Sequence, residues 1–142
     1  MARILIVDDE PSMRLVSNRI LTRLGHEIVE AGDGMIALKA VLAGGFDLVV
    51  TDIIMPEMEG LDLIFQLHRK FPELPILAIS GGGRGGAGGA DTYLRTASLG
   101  GAKRTLTKPF SIAEFVTAVH ECLDLPLPSL PAGFPESGAA AG

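Results

Sequence analysis

The 142-residue sequence is poor in several things that would point elsewhere. It has one cysteine, Cys122, which excludes an intramolecular disulfide and suits a reducing compartment. Bases are in deficit, 12 against 17 acids for a formal net charge of −5, which argues against a nucleic-acid grip built on phosphate neutralisation. No apolar run approaches the roughly 20 residues that span a bilayer, and the apolar start Ile4, Leu5, Ile6 and Val7 is cut off at once by Asp8, Asp9 and Glu10. A secretory signal needs a longer apolar stretch and a small-residue cleavage site. These absences lead us to expect a soluble, cytoplasmic protein without membrane or nucleic-acid partners. The three histidines, His26, His68 and His120, show no spacing that would make a histidine metal site. What is abundant is glycine, 18 residues, roughly twice the usual share of about 7%. With 47% apolar and 20% charged residues, the composition is that of one globular domain.

Strand-like and helix-like patterns alternate along the chain. Ile4, Leu5, Ile6 and Val7 form a short unbroken apolar run, as expected of a strand covered on both faces. Val16, Ile20 and Leu24 then recur at helical spacing behind Pro11 and before Gly25. The cycle repeats with a strand over residues 27–30, a helix capped by Asp33 and carrying Ala37, Leu38, Val41 and Leu42, and a third strand over residues 46–51. A helix with Leu61, Ile64 and Leu67, a strand over residues 75–79, a helix over residues 91–99 and a strand over residues 104–107 follow. The last helix has the sharpest start: Ser111 and Glu114 form a capping box, Phe110 and Phe115 a hydrophobic staple, and Phe115, Val119, Cys122 and Leu123 its buried face. Five strand-helix units in alternation predict an α/β fold, a doubly wound five-stranded parallel sheet with five helices. Residues 1–124 make up the domain, and residues 125–142, with Pro126, Pro128, Pro131 and Pro135, read as a flexible Pro/Ala/Gly-rich tail.

Ligands of an open parallel sheet gather outside the carboxyl ends of its strands. Asp8 and Asp9 stand at the end of the first strand, Asp52 at the third, Ser80 at the fourth, and Lys108 with Pro109 after the fifth. Each alone is an ordinary turn acid, loop hydroxyl or surface lysine. Four strand ends with suitable side chains in one order make a site. Three crowded carboxylates repel one another unless a cation relieves them, and Mg²⁺ takes carboxylates together with phosphate oxygens and water. A hydroxyl and an ammonium suit the oxygens of a transferred phosphoryl group, and an aspartate can itself be the nucleophile. The cluster reads as phosphoryl transfer onto a carboxylate.

Residues 4–10 (Ile-Leu-Ile-Val-Asp-Asp-Glu), 52–60 (Asp-Ile-Ile-Met-Pro-Glu-Met-Glu-Gly), 78–80 (Ala-Ile-Ser) and 106–110 (Leu-Thr-Lys-Pro-Phe) resemble the response-regulator receiver domain of two-component signalling, the CheY-like family. The resemblance covers residues 2–124. It implies the flavodoxin-like strand order 2-1-3-4-5. It further implies that Asp52 is the phosphoacceptor, charged by a sensor histidine kinase or a histidine phosphotransfer protein. By the same resemblance Asp9 would bind Mg²⁺ directly and Asp8 mainly through water, with Asp52 and the backbone carbonyl of Ile54 completing the set. Ser80 meets the phosphoryl group as a switch, and Lys108 pairs with it next to a cis bond to Pro109. A chain of this kind is a signalling module and not an enzyme, although it assists its own phosphorylation and dephosphorylation. It acts as a single-domain regulator, a monomer or weak dimer, on a downstream protein target. The alternatives are a shuttle or sink in a phosphorelay and, further off, a Mg²⁺-dependent phosphatase of the haloacid dehalogenase type.

Three places depart from the family pattern. Thr105 stands where receivers usually carry an aromatic switch residue, so output is expected to run through the loop after Ser80 and the fourth helix. Residues 81–90 are unusually rich in glycine. Gly81, Gly83 and Gly86 match a dinucleotide-binding spacing, but no acid follows at the required distance, and a loop ordered by phosphorylation is the preferred reading. Ile54 offers no polar side chain to orient an attacking water, which predicts slow loss of phosphate from Asp52. It also lacks the second acid that a dehalogenase-type phosphatase requires there.

Overall fold

In each of the first, third and fourth strands, neighbouring residues enter different layers, which is why their sequences carry unbroken apolar runs with polar residues only at the ends. In the computed structural model, which describes residues 1–53, 60–81 and 89–129 (backbone only for 89–94), the order is β1 (Arg3–Val7), α1 (Pro11–Arg23), β2 (Glu27–Ala31), α2 (Gly34–Leu42), β3 (Leu48–Asp52), α3 (Gly60–Lys70), β4 (Ile76–Gly81), α4 (Gly89–Gly100), β5 (Arg104–Lys108) and α5 (Ile112–Cys122). The strands form one parallel sheet in the order β2-β1-β3-β4-β5. Ile4 and Ile6, Leu48 and Val50, and Leu77 and Ile79 pack with Ile20 and Leu21 of α1 and with Phe115 and Val119 of α5. Leu5, Val7, Val49, Ile76 and Ala78 pack on the other face with Val41 of α2, Leu63 and Leu67 of α3 and Ala97 of α4.

Helix starts follow their caps. Asp33 accepts a hydrogen bond from the Ile36 amide at 2.9 Å, and α5 opens on a complete Ser111–Glu114 capping box. The rings of Phe110 and Phe115 stack at 5.7 Å across that start. Pro11 opens α1 without a side-chain cap at Glu10. One expected core residue is out of place: Leu42 is 55% exposed. At 100° per residue it lies well round the helix from Ala37, so the inward stripe of α2 runs through Ala37 and Val41 and leaves Leu42 at its edge. The third, fourth and fifth strands end one or two residues later than expected, at Asp52, Gly81 and Lys108, and the third and fourth begin later too, at Leu48 and Ile76 and not at residues 46 and 75. Residues 54–59, most of the glycine tract and residues 130–142 lie outside the described residues, so the readings of Ile54, of that tract and of most of the tail rest on sequence alone.

Candidate functional site

The order of the sheet reverses direction at β1, whose neighbours are β2 on one side and β3 on the other. This is where a parallel sheet opens a crevice at its carboxyl edge. Register brings the ends level: Val7 stands opposite Thr51 and Asp52 opposite Ile79. Asp8 and Asp9 therefore leave β1 beside the last residue of β3. Carboxylate oxygens of Asp8, Asp9 and Asp52 all lie within 4.8 Å of one another. The Lys108 Nζ sits 3.5 Å from Asp52 Oδ2 and 3.9 Å from Asp8 Oδ2.

Asp8 is buried while Asp9 is exposed. The Asp8 amide donates to the Ala31 carbonyl at 3.2 Å, and its Oδ1 accepts from the Glu10 amide at 3.0 Å. Burial pushes the Asp8 carboxyl up to about 6, with the charges of Asp52 and Asp9 adding to the rise and the Glu10 amide and Lys108 opposing it. Three acids against one lysine leave negative charge in excess, and the donor set is all oxygen, which suits a hard divalent cation. Two oxygens bound to one Mg²⁺ at 2.0–2.1 Å are at most about 4.2 Å apart. Carboxylates already within 4.8 Å close that gap by side-chain rotation, so the residues present fit Mg²⁺.

Ser80 is fully buried, and its Oγ has no hydrogen-bond partner among the described residues. An unsatisfied buried hydroxyl costs about 1–3 kcal/mol, and it stands in β4, two strands from Asp8 and next to Asp52's strand. Thr105, opposite Ala78 in β5, is exposed. The peptide bond between Lys108 and Pro109 is cis.

Two contributors to the site were not legible as such. Gly60 donates from its amide to the Ile53 carbonyl at 2.7 Å, and a Cβ there would collide with the Asp52 carbonyl oxygen and stand 2.6 Å from Ile53 Cα. Only glycine lets the chain return this close to the strand that carries Asp52. In sequence it closes the 52–60 motif ahead of a helix, without showing that its lack of a side chain is what the site requires. Arg14 of α1, which no sequence motif singles out, donates from Nη1 to the Asp8 carbonyl at 2.7 Å. The structure also joins His26 and His120, their Nε2 atoms 3.1 Å apart, far from the acids and without a third metal-ligating side chain among the described residues.

A flavodoxin-like sheet with paired acids beside an aspartate-ended strand and a lysine across the rim defines a class of phosphate-handling signalling domain. The sequence profile described as the response regulator receiver domain matches residues 4–120, and the chain belongs to that family. It is 35% identical over 143 residues to the DNA-binding transcriptional regulator NtrC of Azospirillum brasilense, covering 99% of this chain and 27% of that protein. It is 38% identical over 112 residues to the transcriptional regulatory protein TcrA of Mycobacterium tuberculosis, covering 79% of this chain and 42% of that one. The chain thus spans less than half the length of these relatives. Among solved structures, the receiver domain of NtrX from Brucella abortus is similar with a TM-score of 0.78 and 31% identity, over 87% of this chain and 99% of that one. No helix among the described residues is long and apolar enough to cross a membrane.

Proposed function

We propose that this receiver is a cytoplasmic phosphoacceptor in which Asp52 takes a phosphoryl group from a phosphohistidine of a sensor histidine kinase or histidine phosphotransfer protein. The reading is carried by one observation: three carboxylates from two strand ends converge within 4.8 Å while Lys108 stands 3.5 Å from Asp52. An Asp52 carboxylate oxygen forms the new bond to phosphorus, the phosphorus–nitrogen bond breaks, and its electron pair returns to the donor's imidazole. Asp8, Asp9 and Asp52, with the Ile54 carbonyl, would hold Mg²⁺, whose charge would offset that of the rim and of the incoming phosphoryl oxygens. Lys108 balances charge on those oxygens, and the Ser80 hydroxyl, without a partner among the described residues, donates a hydrogen bond to one of them.

The added charge on Asp52 biases the segment after Ser80 and α4, which then present a changed face to a downstream protein. With Thr105 in place of an aromatic, the switch does not run through a ring on β5. A role as shuttle or sink in a phosphorelay uses the same chemistry with a second histidine as acceptor. The phosphatase alternative is disfavoured by Ile54, which supplies no second acid. The test is intact mass after incubation with Mg²⁺ and a small acyl phosphate donor. Wild type is expected to gain one phosphoryl group and Asp52→Asn none. A folded wild type left unmodified by every such donor overturns the reading.

A further inference from the structure

The most exposed member of the acidic rim is also the least held. Asp9 is exposed, and no hydrogen bond among the described residues fixes its carboxylate. Its position depends on the peptide that links it to Asp8, and that peptide is planar, so the Asp8 carbonyl and the Asp9 amide turn together. The Asp8 carbonyl is gripped by Arg14 Nη1 at 2.7 Å. Arg14 is in turn braced: its Nε donates to Glu30 Oε1 at 3.2 Å, the other Glu30 oxygen accepts from Asn18 Nδ2 at 2.8 Å, and Asn18 Oδ1 accepts from the Thr22 hydroxyl at 2.7 Å. Arg14, Asn18 and Thr22 are spaced four apart along α1 and form one ridge facing Glu30 of β2. The Arg14 and Glu30 side chains are only 19% and 32% exposed, so this is no freely solvated pair.

We infer that Arg14 is a positioning residue for the metal-binding rim, holding the Asp8–Asp9 peptide so that the Asp9 carboxylate points into the cluster. The inference deepens the phosphoacceptor reading and rests on it for its biological meaning. The action is orientational and not coulombic, because Glu30 already balances the guanidinium charge. Arginine is suited to this task, since its planar fork reaches the carbonyl and the carboxylate from two fixed nitrogens, whereas lysine carries a single point of attachment. Residues that orient metal ligands from behind typically govern 10–100-fold of metal affinity.

The experiment is a Mg²⁺ titration of the full chain, followed by backbone amide shifts and by thermal stabilisation. Arg14→Ala is expected to weaken Mg²⁺ binding about 10-fold, and Arg14→Lys, which keeps the charge, to recover little of it. In an Asp9→Ala background, Arg14→Ala is expected to add nothing, since it acts through Asp9. Phosphorylation of Arg14→Ala by a small donor should approach the wild-type rate once Mg²⁺ is saturating. Glu30→Ala leaves Arg14 present but unbraced and should weaken Mg²⁺ binding several-fold, which keeps the test alive if Arg14→Ala does not fold. Unchanged Mg²⁺ affinity in folded Arg14→Ala, full rescue by lysine, or additivity with Asp9→Ala each overturn the inference. If wild type binds Mg²⁺ and Arg14→Ala weakens it, yet no donor modifies Asp52, the inference stands and the phosphoacceptor reading fails.

Discussion

At the scale of single residues, the site is built from groups that are uncomfortable without their ligands. Asp8 is the clearest. Its carboxyl, about 6 in the fold against an ordinary 3.8, binds a proton more tightly in the folded protein than in the unfolded chain. For this group, metal-free stability therefore declines as pH rises from about 4 to about 6 and stays at the lower level above that, by about 3 kcal/mol for a shift near two units. Asp8→Asn removes the charge while its carbonyl oxygen still accepts from the Glu10 amide. In urea unfolding at pH 7.5 without metal, Asp8→Asn is expected to exceed wild type by about 1–3 kcal/mol and to lose the stabilisation that Mg²⁺ confers on wild type. A wild type more stable than the variant under those conditions would remove the argument for charge crowding. Ser80 shows the same logic in neutral form, a hydroxyl buried without a described partner on the strand next to the one that ends in Asp52.

At the scale of elements, local signals were legible where the chemistry is local. Ser111 and Glu114 announce α5, and the capping box is complete. The unbroken apolar runs announced two-faced strands because alternate residues meet α1 and α5 on one side and α2, α3 and α4 on the other. Leu42 misled because a hydrophobic residue near a helix stripe is not always on it. Gly60 shows what a pattern cannot convey. A glycine ahead of an amphipathic run looks like a helix start, whereas its importance comes from the Asp52 carbonyl and Ile53 lying where a Cβ would be. Gly60→Ala is expected to cost about 1–3 kcal/mol by overpacking and to slow phosphorylation of Asp52 more than it lowers Mg²⁺ affinity through Asp8 and Asp9. Denaturant unfolding and a phosphorylation time course check both. A variant with wild-type stability would show that the return of the chain to β3 tolerates a side chain.

At the scale of the molecule, the edge of the sheet opposite the acids carries a polar chain that the sequence did not reveal. The Ala2 amide donates to His26 Nδ1 at 3.1 Å, so that nitrogen is unprotonated and His26 Nε2 carries the hydrogen. It then donates to His120 Nε2 at 3.1 Å, and His120 Nδ1 donates to the Pro126 carbonyl at 2.9 Å. The four groups run in one direction, from the first strand's entry to the segment that leaves α5, and a further proton on either ring breaks the sequence. Burial, the neighbouring His120 and the Met1 amino group lower the His26 pKa. The charged side chains on adjoining elements are engaged with each other, Arg3 with Glu27 at 2.9 Å and Lys103 with Asp124 at 3.3 Å. Because the unfolded chain takes up the proton more readily, this group's contribution is present above about pH 6.5 and is lost as pH falls below it. Asp8 acts in the opposite sense over part of that window, so the measurement belongs in an Asp8→Asn background. There, urea unfolding is expected to show lower stability at pH 5.5 than at pH 7.5, and a further His26→Gln change should flatten that dependence. An unaltered slope in the double variant would show that the histidine chain is not the cause.

Periodicity, punctuation and the residues at strand ends were determined by the sequence alone. They yielded the five strand-helix units and set Asp8, Asp9, Asp52, Ser80 and Lys108 at the ends of strands, because each follows from what a residue does to its near neighbours along the chain, while the order of the sheet came by resemblance. The tertiary structure decided what depends on approach between distant segments. It set the convergence of three carboxylates within 4.8 Å and the hold of Arg14 on the Asp8 carbonyl. It also placed the Cβ-free space at Gly60 and the meeting of His26 and His120 across 94 residues of sequence. Those contacts are set by register and layer packing, which act on residues brought together only once the sheet has formed.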